Sequence, residues 1–133
     1  MKKRSSTGKD GTRVAHAGRD PERFHGFVNT PIYRGSTVLF PTMASLEANA
    51  QEFTYGRLGT PTVKALEQAI AELEGGHATL LTPSGLTAIA ATLLACLSAS
   101  DHLLMSDSVY RPTRRFADGM LKRLAIETTY YDS

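Results

Sequence analysis

Cysteine occurs once, at Cys96, so the chain has no internal disulfide framework. The expectation that goes with this is a reducing compartment, the cytoplasm. Long apolar runs are missing too. No stretch reaches the roughly 18 apolar residues of a membrane span. The opening bases, in MKKRSSTGKDGTR, are followed by no apolar segment, so no secretory signal is expected. Excess charge of one sign is lacking, since the formal net charge is +2. That leaves no electrostatic case for a nucleic-acid or acidic partner. The phosphate-loop pattern GxxxxGK[ST] and the dinucleotide pattern GxGxxG do not occur. His16, His25, His77 and His102 show no metal-ligand spacing and no HExxH. No metal site is expected.

What is present suits one domain: 133 residues, of which 41% are hydrophobic. The basic, Ser/Gly/Thr-rich start reads as a mobile tail. Residues 1 to about 52 read as irregular, punctuated by Pro21, Pro31 and Pro41. Within them STVLF (36–40) is strand-like until Pro41 stops it. So long an arm is unusual inside a compact domain, and it fits better lying across a partner subunit.

From Gly59 the sequence becomes regular. Thr60 can cap a helix, and Pro61 suits its first position. Val63, Leu66, Ile70 and Leu73 then fall on one helical face, and Gly75-Gly76 ends the helix. HATLLT (77–82) reads as a short buried strand. LTAIAATLLACL (86–97) has no wet face and reads as a buried helix, with Cys96 inert inside it. HLLMS (102–106) is a second strand. Pro112 opens a third helix with Phe116, Met120, Leu121 and Leu124 on its apolar side, and IETTYY (126–131) is a third strand. This alternation predicts an α/β fold with a parallel sheet.

Three loops carry candidate chemistry. In TPSGLTA, between a strand and a helix, the N–H groups of Gly85 and Leu86 are among the unpaired donors of a helix start, and the dipole there favours an anion. Taken alone, this is also an ordinary turn capped by Ser84. In FTYGRLGTPT, Tyr55 offers a hydroxyl and Arg57 a planar fork that matches a phosphate. Alone, the same pair is a half-buried tyrosine and a surface arginine. Tyr110, in DSVYRPT, follows the second strand and so falls at the sheet edge where Gly85 lies. It can stack on a flat ring or simply pack on its own helix.

VNTPIYRGSTVLFPT, YGRLGTPT, ALEQAIAELEGG, TPSGLTAI and DSVYRPTRRF together resemble the Cys/Met-metabolism family of pyridoxal-phosphate (PLP) enzymes over roughly residues 13–133. GTPT at 59–62 and Arg111-Pro112 after Tyr110 resemble its β-lyase branch, where the γ-synthase and γ-lyase branches usually carry GNPT and Gly-Gly. The resemblance implies a partial three-layer PLP-dependent transferase fold, like the large domain of aspartate aminotransferase, behind an irregular N-terminal arm. Residues 1–58 would be the arm and phosphate-contact loop, and 59–133 the first part of the PLP-binding domain. It implies PLP as cofactor and L-cystathionine as substrate, cleaved to homocysteine, pyruvate and ammonia. It implies a homotetramer in which Tyr55 and Arg57 bind the phosphate of the neighbouring subunit. Gly85 and Leu86 would bind phosphate through backbone N–H groups. Tyr110 would stack on the pyridine and share in proton transfer.

One requirement is unmet. PLP chemistry needs a Schiff-base lysine, and this chain has Lys2, Lys3, Lys9, Lys64 and Lys122, none in a Ser/Thr-rich loop of the family's kind. The family's aspartate opposite the pyridinium nitrogen has no match either. The expectation is therefore an N-terminal fragment, catalytically inactive alone, with the 86–97 helix partly uncovered and the chain poorly soluble or partner-dependent. The alternatives are the γ-synthase/γ-lyase branch, a non-catalytic assembly remnant, and an unrelated phosphate- or nucleotide-binding module.

Overall fold

The computed structural model describes residues 10–133, so the predicted tail at 1–9 lies outside the described residues. The chain divides into two units, one running up to Leu80 and the other Leu81–Ser133.

Among the described residues the first unit holds three helices: α1 (Asp10–His16), α2 (Met43–Glu47) and α3 (Pro61–Glu74). α3 starts and stops where its sequence signals lie. Thr60 is extended, and its hydroxyl accepts the N–H of Val63 at 3.3 Å; such a cap contributes about 1 kcal/mol. Gly75 takes the left-handed conformation (φ 65°), and the Gly76 N–H reaches the Ala71 carbonyl at 2.9 Å.

The buried face of α3 differs from the expected one. Val63, Leu66 and Leu73 are exposed. No residue of α3 is fully buried; Ile70 of the expected stripe is half-covered, as are the small residues Ala65, Ala69 and Ala71, and α1 packs on this helix. Gly18 sits so close to Ala65 and Ala69 that an added Cβ would lie 2.3 Å from the Ala65 carbonyl oxygen. Arg13 donates to the Glu72 carbonyl. Small residues let two backbones approach, and the arm brings no large apolar side chains to cover the leucine stripe. The arm is also less irregular than expected, since it contains α1 and α2. STVLF forms no strand: its one ladder contact is an antiparallel bridge from Thr37 to Tyr55, and Leu39 is 85% exposed.

The second unit contains α4 (Gly85–Cys96), β1 (His102–Ser106), α5 (Arg111–Phe116), a π-helical turn (Ala117–Leu121) that continues α5, and β2 (Glu127–Tyr131). β1 and β2 pair in parallel, with His102 opposite Glu127 and Ser106 opposite Tyr131. A parallel pair needs a crossover, and α5 with its π turn supplies it. Met105, Ala117, Leu121 and Ile126 form the core, with Leu93, Leu97, Leu103, Val109, Phe116 and Tyr130 packed against it. Leu121 is completely buried. The chain turns into β2 through Ala125, which is left-handed (φ 57°).

Three further expectations change here. Residues 77–82 are not a strand. A strand needs a ladder partner, and β1 and β2 pair with each other in a two-stranded sheet. α4 forms but buries none of its residues. Leu93 and Leu97 reach the core, while Leu86 and Leu94 are exposed, and so is Cys96. A helix apolar on every side needs neighbours on every side, and within this unit α5 is the helix that packs on it. On the continuation of α5, Met120 and Leu124 also remain exposed.

Candidate functional site

The five residues singled out by sequence fall into two groups, one in each unit. Tyr55 and Arg57 share a turn. The bridge to Thr37 holds Tyr55, and the Gly56 N–H donates to the Ser36 carbonyl at 2.7 Å. The Leu58 N–H closes the turn on the Tyr55 carbonyl at 2.9 Å. Gly56 is seated so tightly that a Cβ there would lie 2.0 Å from the Gly35 carbonyl oxygen. The backbone of the turn is thus fixed, while its side chains face outward. Tyr55 is 39% exposed. Arg57 is exposed and makes no ion pair or hydrogen bond among the described residues. An arginine fork left without a partner on a clamped turn is available to an anion. Beside the turn lies a cavity of about 230 Å³ lined by Tyr33, Arg34, Gly35, Gly56 and Thr60 among others. Arg34 was not singled out by sequence; the Tyr-Arg-Gly run that holds it was the available signal.

In the second unit, Gly85 and Leu86 are the first two residues of α4. The Ser84 hydroxyl accepts the Thr87 N–H at 3.1 Å, and the Ser84 carbonyl accepts the Ala88 N–H at 3.0 Å. The N–H groups of Gly85 and Leu86 precede the first intrahelical donor, Ala88, and so have no acceptor within the helix. A Cβ on Gly85 would meet nothing within 4 Å. The glycine is therefore not demanded by packing within the chain, and its backbone is open to close approach. Tyr110 occupies the N-cap position of α5, directly after the loop that leaves β1, and its side chain is exposed. Its carbonyl accepts the N–H groups of Thr113 (2.9 Å) and Arg114 (3.2 Å). α4 and α5 pack on one another.

Around the end of β1 lies a polar cluster that sequence reasoning missed. Arg114 donates to the Asp107 carbonyl at 2.8 Å, and its guanidinium lies 3.8 Å from the centre of the Tyr130 ring. The Tyr130 hydroxyl donates to Asp118 at 2.7 Å. Burial, then that hydrogen bond and the Asp118 charge, hold the phenol above its ordinary value of 10.0, with Arg114 opposing.

Two lysines, Lys64 and Lys122, fall among the described residues. Lys64 sits on α3, 3.9 Å from Glu67. Lys122 lines a cavity of about 760 Å³ with Asp101, His102 and Glu127, at the amino ends of the strands, whereas Tyr110 follows their carboxyl ends. Among the described residues no group of three His, Cys, Asp or Glu could hold a metal ion, and no helix is long and apolar enough to cross a membrane.

Residues 11–133 match the Cys/Met metabolism PLP-dependent enzyme family. The chain belongs to that family, whose cofactor is pyridoxal 5′-phosphate. It is 52% identical over 120 residues to a protein of Rhizobium johnstonii provisionally named a cystathionine β-lyase, matching 90% of this chain and 30% of that protein. It is 35% identical to an L-alanine/L-glutamate racemase of Wolbachia pipientis, over 93% of this chain and 34% of that protein. A crystal structure of cystathionine γ-lyase from Lactobacillus plantarum superposes with a TM-score of 0.82 at 32% identity, over 94% of this chain and 31% of that one. The chain thus spans about a third of the length of the curated relatives it matches.

The residues present fit part of the cofactor. An unpaired guanidinium and an open helix start with a glycine suit a phosphate dianion.

Proposed function

We propose that this chain supplies the phosphate grip and ring platform of a PLP-dependent carbon–sulfur lyase that cleaves L-cystathionine, with water, to homocysteine, pyruvate and ammonia. The observation that carries the reading is Arg57, without a partner among the described residues on a turn whose backbone is clamped, in a chain of this family. Tyr55 and Arg57 hold the phosphate, and in a homo-oligomer they do so for the neighbouring subunit. Gly85 and Leu86 bind the phosphate of their own subunit's cofactor through their N–H groups at the start of α4. Tyr110 lies against the pyridine face and exchanges a proton through its hydroxyl at the substrate. The bound cofactor supplies an electron-withdrawing ring that acidifies the substrate Cα–H. A lysine outside these positions must supply the covalent anchor, so the 133 residues alone turn over nothing.

The β-lyase assignment rests on GTPT at 59–62, on Arg111-Pro112, and on the Rhizobium relative. The test is product identification from L-cystathionine with the full reading frame that contains this chain. Homocysteine, pyruvate and ammonia are expected. Cysteine with 2-oxobutyrate moves the assignment to the γ-lyase branch. Interconversion of alanine enantiomers without cystathionine cleavage would replace the lyase reading by a racemase one.

A further inference from the structure

We propose that Arg114 is a positioning residue for Tyr110, clamping the loop that presents the tyrosine ring; the inference rests on the reading of Tyr110 above. The link from the end of β1 at Ser106 to the start of α5 at Arg111 is short, and Tyr110 is its last residue. Its first half is tied by hydroxyls: Ser106 to Ser108 at 2.7 Å and Ser108 to Ser133 at 3.0 Å. Its second half has no such chain. Arg114 holds it instead. The guanidinium donates to the carbonyl of Asp107, where the loop leaves β1, and the Arg114 N–H donates to the carbonyl of Tyr110, where the loop ends. The same guanidinium lies on the ring of Tyr130 in β2, and the Tyr130 hydroxyl is held by Asp118 on the π turn. The side chain therefore ties the Asp107 end of the loop to the ring of the adjacent strand, and the backbone N–H of the same residue closes the Tyr110 end.

The job requires arginine. A planar fork can stack on a ring and donate in its own plane at once, which a lysine ammonium cannot do. The side chains of Arg111 and Arg115 on the same helix make no ion pair or hydrogen bond among the described residues, so the clamp belongs to Arg114 rather than to basic charge in general. A ring fixed before the cofactor arrives loses less freedom on binding.

The experiment is amide hydrogen exchange by NMR on the protein in its full reading frame, joined to a pyridoxal 5′-phosphate titration. Arg114→Ala should speed exchange at Val109 and Thr113 by about tenfold, the equivalent of one hydrogen bond to a charged group. Met105 and Thr129 amides should stay as in the wild type. Tyr130→Phe keeps the ring beneath the guanidinium and should leave Val109 and Thr113 within about twofold. Arg114→Lys serves if the alanine variant does not fold, and should give the same local acceleration at lower amplitude. Unchanged exchange at Thr113, or an equal acceleration at Met105 and Thr129, overturns the clamp, since the latter makes Arg114 a general stabiliser. The titration separates the two levels. Cofactor binding by the wild type with unchanged exchange in Arg114→Ala sinks the clamp alone. The expected exchange pattern in a wild type that binds no cofactor sinks the reading of the site and leaves the loop clamp standing.

Discussion

The two units are held together by different means. Of the five buried hydrophobic residues among the described ones, Met105, Ala117, Leu121 and Ile126 lie in the second unit and Phe24 in the first. The first unit is joined by backbone clips and polar ties: the Thr37–Tyr55 bridge, the Gly56–Ser36 hydrogen bond, Thr62 between the Pro31 carbonyl and the Tyr33 N–H, and the Arg23–Glu52 pair at 2.7 Å. Meanwhile Phe27, Ile32, Leu39, Leu58 and Leu66 stay exposed. A βαβ unit can build a core from neighbours in sequence. An arm followed by one helix cannot. The first unit fixes turns, and the second fixes volume.

Substitutions should divide along that line. The largest effect is expected at Leu121, where truncation to alanine leaves a cavity in the one well-packed cluster. Leu121→Ala should cost about 2–5 kcal/mol, read as loss of protection of the β1 and β2 amides in denaturant titration. The Gly56 and Leu58 amides of the first unit should not follow. If both units lose protection together, the contrast between them fails. The smallest effect is expected at Ala125, where a Cβ sits in the left-handed region at the entry to β2. Ala125→Gly should raise stability of the second unit by about 0.5–1 kcal/mol, because glycine adopts that conformation without steric cost. A loss of stability there would show that the entropy of glycine outweighs the relief.

Much of this was legible in the sequence wherever the determinants are local. Thr60, Pro61 and Gly75 set the ends of α3 by their own backbone preferences. HLLMS became β1, and Glu127–Tyr131 became β2, because a helix-forming segment between them brings two apolar runs into parallel contact. The failures were non-local. HATLLT has strand composition, but ladder partners are not encoded within a segment. The composition of α4 marks a helix that needs covering on every side, and it was also expected to be partly uncovered here; it buries none of its residues, because composition states how much covering a helix needs and not what covers it. The face of α3 was misread because large side chains were taken to mark the contact, whereas Ala65 and Ala69 mark it, by allowing Gly18 close. Tyr55, Arg57, Gly85, Leu86 and Tyr110 were singled out as candidates from residue chemistry at loops, and their roles are what the family resemblance implies. Arg114 was missed because its partners, Asp107 and Tyr130, come together only in the folded chain.

The central claim is that the turn bearing Arg57 is a phosphate grip. The most direct measurement is the dissociation constant of pyridoxal 5′-phosphate for Arg57→Ala against wild type, in the full reading frame. A charged hydrogen-bond pair contributes about 1.5–3 kcal/mol, so binding should weaken by roughly 10- to 100-fold, with protection of the Gly56 amide retained. Equal affinity in the two proteins, with the turn intact, would contradict the account.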